Sequence, residues 1–295
     1  MPPIDLKSSS APCTPSLPAP GVENLTPSFP SAQTDAVDAS AQTDAIDVLE
    51  APNRPSSLSF LEPVARVFQR SAAPTAFATD ALKSASESTS QYILFQPPSD
   101  TIASHGLVFV GGAKVREEAY APIARALAER GIAVAIVRSP FDLPFLLALP
   151  GQRIDAAVRA LRQDAPELPL AVGGHSAGGL VATGLLSRGD FANVVLLNAR
   201  TQSGTPRPEV TGVAVYGEKD GLISAQEREQ TALALPSLLT IRIGELDHDF
   251  SQGLYGTQQG DPVTNSSPQE LVDRVASGIA DALRGQRAAA PSVQA

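Results

Sequence analysis

Hydrophobic positions between residues 91 and 283 follow two alternating patterns. Short runs such as residues 107–110 and 132–137 are rich in Val, Ile and Leu on both faces, which is typical of buried strands. Stretches such as residues 152–163 repeat apolar residues every three or four positions and predict amphipathic helices. Further strands are predicted at residues 92–95, 168–172, 194–198, 213–216 and 238–243, and further helices at 116–130, 177–187, 225–235 and 267–283. The alternation predicts an α/β fold, a mostly parallel sheet with helices on both faces.

The rest of the chain has a different composition. Residues 1–57 are rich in Pro, Ser, Ala and Thr and contain a near-duplicated nonapeptide, residues 31–39 followed by 40–48. Such a segment offers too little apolar surface to offset the entropy of ordering. We therefore expect a disordered tail, acting either as a spacer or as a docking or sorting segment. The predicted boundaries are a tail at 1–57, a linker at 58–90, a folded α/β domain at 91–284 and a disordered C-terminal tail at 285–295.

Within the linker, apolar side chains recur at helical spacing. A short amphipathic helix fits these positions, which are Phe60, Leu61, Val64, Val67 and Phe68. The stretch is short and weakly basic, so we expect packing on the protein body or fraying rather than membrane binding.

Charge and composition narrow the function classes. The net charge is -9 without a run of Lys or Arg, which predicts no nucleic-acid partner. The most apolar patch, residues 143–149, is too short for a membrane span, so we expect a soluble protein. Cys13 is the single cysteine, which excludes an intramolecular disulfide and a cysteine-based metal site. The N-terminus has no signal-peptide pattern, so we expect a cytoplasmic location, leaving organelle import and oligomeric state open.

The most informative motif is Gly174-His175-Ser176-Ala177-Gly178. A predicted strand precedes it and a predicted helix follows, so it indicates a sharp strand-to-helix turn. Such a turn lifts a serine hydroxyl clear of the sheet, and only residues without bulk fit beside it. We predict that Ser176 is a nucleophile.

A serine nucleophile needs a base, and the chain has three histidines. His105 precedes the strand at 107–110 and is expected at the opposite edge of the sheet. His175 is next to the serine, but on a tight turn its side chain points away from the neighbouring hydroxyl. His248 follows the strand at 238–243, and ligand sites lie beyond the carboxyl ends of such strands. We predict His248 as the base.

The base in turn needs a carboxylate to hold its tautomer. Asp220 comes soon after the strand at 213–216 and precedes the histidine, which gives the chain order Ser, Asp, His. Glu218, Asp247 and Asp249 are the rivals, each with the alternative of a solvated loop charge. We favour Asp220.

Negative charge developing on a substrate oxygen needs preorganised N–H donors. We predict the backbone N–H groups of Ala177, at a helix N-terminus, and Ala113, in the glycine-rich loop after 107–110. Gly112 and Lys114 of that loop are candidate substrate contacts, although Gly111-Gly112 alone is equally typical of an ordinary tight turn.

Two further candidates follow the strand at 132–137. Phe141 and Leu143 either line an acyl pocket or belong to the core. Between residues 199 and 209 the chain is too short for a cap domain, so the site is expected to be open or covered only by loops.

Together these residues resemble the α/β-hydrolase family, nearest to its small cap-less serine hydrolases related to dienelactone hydrolases. The matching stretches are residues 109–115, 120–131, 173–179, 216–221, His248 and 255–261. The resemblance implies the α/β-hydrolase fold and a triad of Ser176, Asp220 and His248. Ser176 stands where dienelactone hydrolases have a cysteine, and Gly111 stands where a histidine often precedes the oxyanion glycine.

The predicted activity is hydrolysis of a small-molecule carboxylic ester through an acyl-enzyme on Ser176, with no metal and no organic cofactor. Two alternatives stay open. One uses the same triad as an acyltransferase or thioesterase. The other is a catalytically silent hydrolase fold that acts as a binding module.

Overall fold

The computed structural model describes residues 71–148, 152–201, 207–256, 261–262 and 264–285. The predicted tail at 1–57 and the amphipathic helix around residues 60–68 lie outside this part of the chain, as do the C-terminal residues 286–295. Eight strands are present in the described part: β1 (Glu87–Ser88), β2 (Tyr92–Phe95), β3 (His105–Val110), β4 (Ile132–Val137), β5 (Leu170–Ser176), β6 (Asn193–Ala199), β7 (Thr211–Gly217) and β8 (Leu238–Ile243).

These strands form one sheet in the order β1-β2-β4-β3-β5-β6-β7-β8. Strands β3 to β8 pair in parallel, while β2 pairs antiparallel with both β1 and β4. The carboxyl ends of β3 to β8 therefore meet at one edge, where loops from distant parts of the sequence come together. The predicted α/β fold is confirmed.

Helices cover both faces of the sheet. They are α1 (Ala76–Leu82), α2 (Ala121–Ala128), α3 (Gln152–Arg162), α4 (Ala177–Leu185), α5 (Ala225–Ala234) and α6 (Pro268–Leu283). Alternate strand residues point to opposite faces, so Phe109 packs in the layer with α1, α2 and α6, whereas Val108 packs in the layer with α3 and α4. The sheet thus has two cores, and both of its faces are buried.

The first predicted helix differs from the prediction. Residues 116–130 form a 3-10 turn, Glu117–Tyr120, followed by the α-helix Ala121–Ala128. Pro122 lies in the first turn of that α-helix, where its missing N–H has no intrahelical acceptor to lose. The chain leaves the helix at Gly131, whose φ of 77° is the left-handed conformation that glycine adopts easily. Tyr120 lies at the junction of the two helical segments, and its hydroxyl is 2.7 Å from the backbone N of Gly112, two residues after β3.

Helix α1 is present although the sequence pattern did not indicate it. Thr75 caps it by accepting a hydrogen bond from the Ala78 N–H at 3.1 Å, and Ala78 and Ala81 are fully buried. The helix has only seven residues, and its fully buried side chains are two alanines with Phe77 and Leu82 partly buried beside them, so its apolar period is too weak to be recognised from sequence.

The carboxyl edge carries no large insertion between β6 and β7, because residues 200–210 alone connect them. That connection is too short for a cap domain, as predicted. Of the helices that the structure describes, none combines the length and apolar character needed to cross a bilayer.

Candidate active site

Ser176 lies at the strained junction between β5 and α4. Its backbone has φ 52° and ψ -123°, a conformation that residues with a side chain rarely adopt. The turn is tight, because a Cβ added at Gly174 would lie 2.3 Å from the Gly178 carbonyl carbon and one at Gly178 would lie 2.2 Å from the Val110 oxygen. Glycine is therefore required at both positions, and the serine side chain is held at the N-terminus of the helix.

His248 and Asp220 are joined by a hydrogen bond at the same edge of the sheet. The His248 Nδ1 lies 3.1 Å from the Asp220 Oδ2, and both side chains are almost fully buried. The other carboxylate oxygen, Oδ1, accepts the backbone N–H groups of Leu222 at 2.7 Å and Ile223 at 3.0 Å. The aspartate is thus fixed by its own loop and directs one oxygen at the imidazole, which places the proton on Nδ1 and leaves Nε2 as the acceptor.

One cavity of about 380 Å³ collects the predicted chemistry. Its wall includes Gly112, Ala113, Ser176, Ala177 and His248. Three loops separated in sequence, after β3, β5 and β8, therefore converge on a space of the size that binds small organic molecules.

Ser176 and His248 share this cavity, and no hydrogen bond joins their side chains in the described part of the chain. Within the described part of the chain, neither the serine hydroxyl nor the His248 Nε2 takes part in a hydrogen bond. Nucleophile and base in a ligand-free site are often farther apart than in the substrate complex. Both reactive atoms are therefore uncommitted to other protein partners.

The two predicted oxyanion donors also face the cavity. Ala177 is the first residue of α4, so its N–H has no acceptor within the helix. The Ala113 N–H donates to none of the described residues, whereas the neighbouring Gly112 N–H donates to the Tyr120 hydroxyl at 2.7 Å. Gly112 thus has a partner inside the protein, whereas the amide of Ala113, which lines the cavity, has none among the described residues.

The rest of the cavity wall is mixed in polarity. Leu222, Ile223 and Tyr255 contribute apolar surface, and Arg200 forms an ion pair with Glu227 at the rim. The ion pair is partly exposed, so it adds a polar border rather than a buried charge.

The rival carboxylates near the histidine have other partners. Asp247 accepts hydrogen bonds from the Ser251 N–H and hydroxyl, and Asp249 accepts from the Gln252 N–H at 2.9 Å. Glu218 is exposed. Asp220 is therefore the carboxylate that contacts the imidazole.

Three other sequence candidates lie away from the cavity wall. Lys114 donates its N–H to the Asp142 carbonyl at 2.7 Å and its ammonium to the Phe141 carbonyl at 3.3 Å. Phe141 is 78% exposed, and Leu143 is buried at 7%. These residues build the neighbouring loop, and Leu143 corresponds to the core alternative.

Asn198, which the sequence reasoning missed, ties the ends of two strands to the histidine loop. The fully buried amide accepts the Gly217 N–H at 2.7 Å and donates to the Asp247 carbonyl at 2.8 Å. Its backbone φ is 40°, so the strand β6 turns sharply at this residue. An asparagine at the end of a buried strand was the available signal.

Asp261 is a second residue that the sequence did not indicate. It connects the loop that contains Asp220 to the loop that contains His248. Its carboxylate accepts the His248 N–H at 2.6 Å and the Gly221 N–H at 3.0 Å. Oxygens of Asp247, Asp249 and Asp261 lie within 4.8 Å of one another, which is a spacing that oxygen-ligated cations use. Burial is the main cause that raises the pKa of Asp249 to about 6, and the neighbouring carboxylates Asp247 and Asp261 raise it further.

Tyr120 and His175 form the remaining missed contact. The Tyr120 hydroxyl lies 3.1 Å from the His175 Nδ1, and the His175 Nε2 lies 3.0 Å from the His248 carbonyl oxygen. Burial, followed by the adjacent His248 ring, lowers the pKa of His175 well below its ordinary value. His175 is therefore neutral at physiological pH.

Comparison with known proteins identifies the family. The sequence model of the alpha/beta hydrolase family matches residues 106–273, which is more than half of the chain. The protein belongs to the alpha/beta hydrolase family. The matched segment begins in β3 and ends in α6, so it contains Ser176, Asp220 and His248. No match to a curated protein was found.

Solved structures are similar to this chain at low sequence identity. A dienelactone hydrolase-like promiscuous phosphotriesterase from metagenomic libraries is 16% identical and aligns over 66% of this chain and 91% of its own, with a TM-score of 0.50. A serine hydrolase without a lid from Xanthomonas campestris is 15% identical over 68% of this chain and 90% of its own, with a TM-score of 0.43. The esterase domain of a Rhodothermus marinus protein is 14% identical and aligns over 65% of this chain and 92% of its own, with a TM-score of 0.44.

Proposed function

We propose that this protein is a serine hydrolase of carboxylic esters, with Ser176 as nucleophile, His248 as base and Asp220 as the orienting carboxylate. The observation that carries the proposal is the bond between His248 Nδ1 and Asp220 Oδ2 beside a cavity that also contains the strained serine. Family membership supports hydrolysis as the reaction class.

The reaction follows from the chemistry of these groups. The Ser176 oxygen attacks the acyl carbon while His248 Nε2 takes its proton, and the imidazolium is stabilised by Asp220. The charge that moves onto the carbonyl oxygen is met by the N–H groups of Ala113 and Ala177. The C–O bond to the alcohol then breaks, and the alcohol leaves with the proton from His248. Water attacks the acyl-enzyme with the same base, releasing the acid and restoring the serine.

The first experiment is covalent labelling of the intact protein with a fluorophosphonate probe. We expect stoichiometric labelling of the wild type and none of Ser176→Ala. Ser187→Ala is the matched control, because Ser187 is an exposed serine bonded only to the Gly184 carbonyl, and it should label normally. Labelling that survives in Ser176→Ala would show that another residue is the nucleophile. A folded wild type that never reacts would favour the binding-module alternative.

The second experiment defines the bond that is cleaved. Chromogenic esters of graded acyl chain length are compared with thioesters of the same acids, with and without an added alcohol acceptor. We expect free acid as the main product from esters, and a loss of at least about 10⁴-fold in kcat in Ser176→Ala. Turnover of thioesters alone, or acyl transfer in preference to hydrolysis, would contradict the proposal.

A further inference from the structure

The Tyr120 hydroxyl is the central atom of a buried chain of hydrogen bonds behind the cavity. It accepts the Gly112 N–H at 2.7 Å and lies 3.1 Å from the His175 Nδ1. On the other side of that ring, Nε2 lies 3.0 Å from the His248 carbonyl oxygen. The chain therefore connects the oxyanion loop, the nucleophile turn and the loop of the base.

The direction of every bond in this chain is determined. A carbonyl oxygen only accepts, so the His175 Nε2 must carry a proton to bond His248. The buried His175 is neutral, so its Nδ1 carries no proton and accepts a hydrogen bond from the Tyr120 hydroxyl. The Tyr120 oxygen then accepts from Gly112. All donors and acceptors are matched in one tautomer, and any other tautomer leaves a buried group unpaired.

The packing around the chain leaves little room for alternatives. Tyr120 is 1% exposed and His175 is fully buried. A Cβ at Gly111 would lie 2.7 Å from the Tyr120 Cε2, and one at Gly112 would lie 3.1 Å from its hydroxyl oxygen and 3.4 Å from the Ser176 Cβ. The tyrosine thus fixes the loop directly against the nucleophile turn.

We infer that Tyr120 and His175 are positioning residues, which hold the Ala113 N–H and His248 in place relative to Ser176 through this hydrogen-bond chain. The inference rests on the proposed function for its effect on rate. Ala113 follows Gly112 directly, so a shift of the Gly112 amide moves the proposed oxyanion donor. A displacement of about 1 Å at a reacting group costs about 10²-fold in rate.

Tyr120→Phe tests the first link. The ring remains, while Gly112 loses its acceptor and His175 loses its donor. We expect kcat to fall about 10- to 100-fold with KM within about twofold, because positioning affects the transition state more than substrate binding. Tyr216→Phe is the matched control, since the Tyr216 hydroxyl is also buried but has no hydrogen bond to Gly112, His175 or His248, and it should leave both constants unchanged.

His175→Gln tests the second link. The glutamine amide can still donate near the Nε2 position, but it has no atom at the Nδ1 position to accept the Tyr120 proton. If the chain acts as one unit, the double variant Tyr120→Phe/His175→Gln loses no more activity than the more damaged single variant. Rates are divided by the active fraction, titrated with the fluorophosphonate probe, so that loss of folded protein is not counted as loss of positioning. Losses in kcat that multiply would contradict a common chain.

A spectroscopic measurement separates this inference from the proposed function. Long-range ¹H–¹⁵N NMR spectra of the wild type at neutral pH should show His175 protonated on Nε2 and bare on Nδ1. A proton on Nδ1, or an unchanged kcat in Tyr120→Phe of an active enzyme, would overturn the positioning role. A wild type without labelling or ester turnover would overturn the proposed function instead, while the NMR result still reports on the hydrogen-bond chain.

Discussion

His175 and His248 have ring centres only 4.6 Å apart and are both buried, yet their surroundings differ. Both nitrogens of His175 are bonded to neutral protein groups, the Tyr120 hydroxyl and the His248 carbonyl. His248 bonds a carboxylate through Nδ1, and its Nε2 makes no hydrogen bond within the described residues. Two imidazoles in contact therefore have opposite capacities for proton transfer.

In the proposed mechanism the two rings have separate roles, proton transfer for His248 and positioning for His175. An imidazolium at His248 would face a carboxylate 3.1 Å away, whereas one at His175 would force a protonated Nδ1 against the Tyr120 hydroxyl, beside a second imidazole. An imidazolium would therefore have a carboxylate partner at the first ring and none at the second. We expect substitutions at His248 to lower the rate of reaction. Substitutions at the buried residues behind the cavity, such as Tyr120 and His175, should affect positioning and stability.

His248→Ala should produce the largest effect. Without the base, we expect kcat for a reactive ester to fall by about 10⁶-fold. The protein should remain folded, so the loss should not come from a change in the free energy of unfolding. His105→Gln is the matched control, because His105 starts β3 at the opposite edge of the sheet, and it should keep full activity. Steady-state kinetics decide the matter, and activity retained in His248→Ala would break the contrast between the two rings.

Asp220→Asn should be next in size. The Asp220 Oδ1 accepts two backbone N–H groups, so the asparagine oxygen will stay with Leu222 and Ile223 and its NH₂ will face His248. That NH₂ donates to Nδ1 and moves the ring proton to Nε2, which can then no longer accept from the serine. We expect kcat to fall by about 10⁴-fold. Glu218 is an exposed neighbour, so Glu218→Gln should change kcat less than twofold. A larger loss in Glu218→Gln than in Asp220→Asn would show that Asp220 is not the orienting carboxylate.

The sequence predicted the parts of this site that depend on strand ends. Ser176, Asp220 and His248 each follow a recognisable strand, and parallel strands bring their carboxyl ends to one edge. The Tyr120 chain could not be predicted in this way, because two of its three bonds join residues 55 and 73 positions apart and depend on side-chain direction. In sequence, Tyr120 looks like one more apolar residue of a helix face.

The loop after β4 was unpredictable for a different reason. Phe141 and Asp142 have φ values of 57° and 55°, so the chain turns where the apolar pattern implies nothing unusual. The turn exposes Phe141 and buries Leu143. Residue type placed both near the site, but only the backbone conformation determines which of them reaches solvent.

Glu117 is a buried residue close to Tyr120 in the sequence, and it extends the comparison from rate to stability. Burial is the main cause that raises its pKa to about 7, and its carboxyl accepts the Ser139 N–H at 2.6 Å. The folded state binds this proton more tightly than the unfolded chain, so its contribution is full below pH 4.5 and is lost as pH rises through about 7. The difference is about 3 kcal/mol.

Glu117→Gln should remove that dependence. In urea unfolding between about pH 4 and 8, the wild type should lose about 3 kcal/mol more than the variant as pH rises. Comparing the two proteins cancels the titration of distant groups such as Asp249, whose raised pKa acts in the same direction. Parallel stability curves would show that Glu117 is solvated as a charge in the folded protein.

His175→Gln should give the smallest effect, and one of opposite sign. The pKa of His175 is lowered by burial, so below its ordinary value of 6.5 the unfolded chain takes up a proton that the folded state refuses. The wild type therefore loses stability as pH falls from 7 to 5.5, and the glutamine variant lacks this loss. Unfolding curves of both proteins at pH 7 and pH 5.5 measure it. If acid destabilised them equally, His175 would be accepting a proton in the fold, and the two neighbouring histidines would no longer differ in the way that the structure implies.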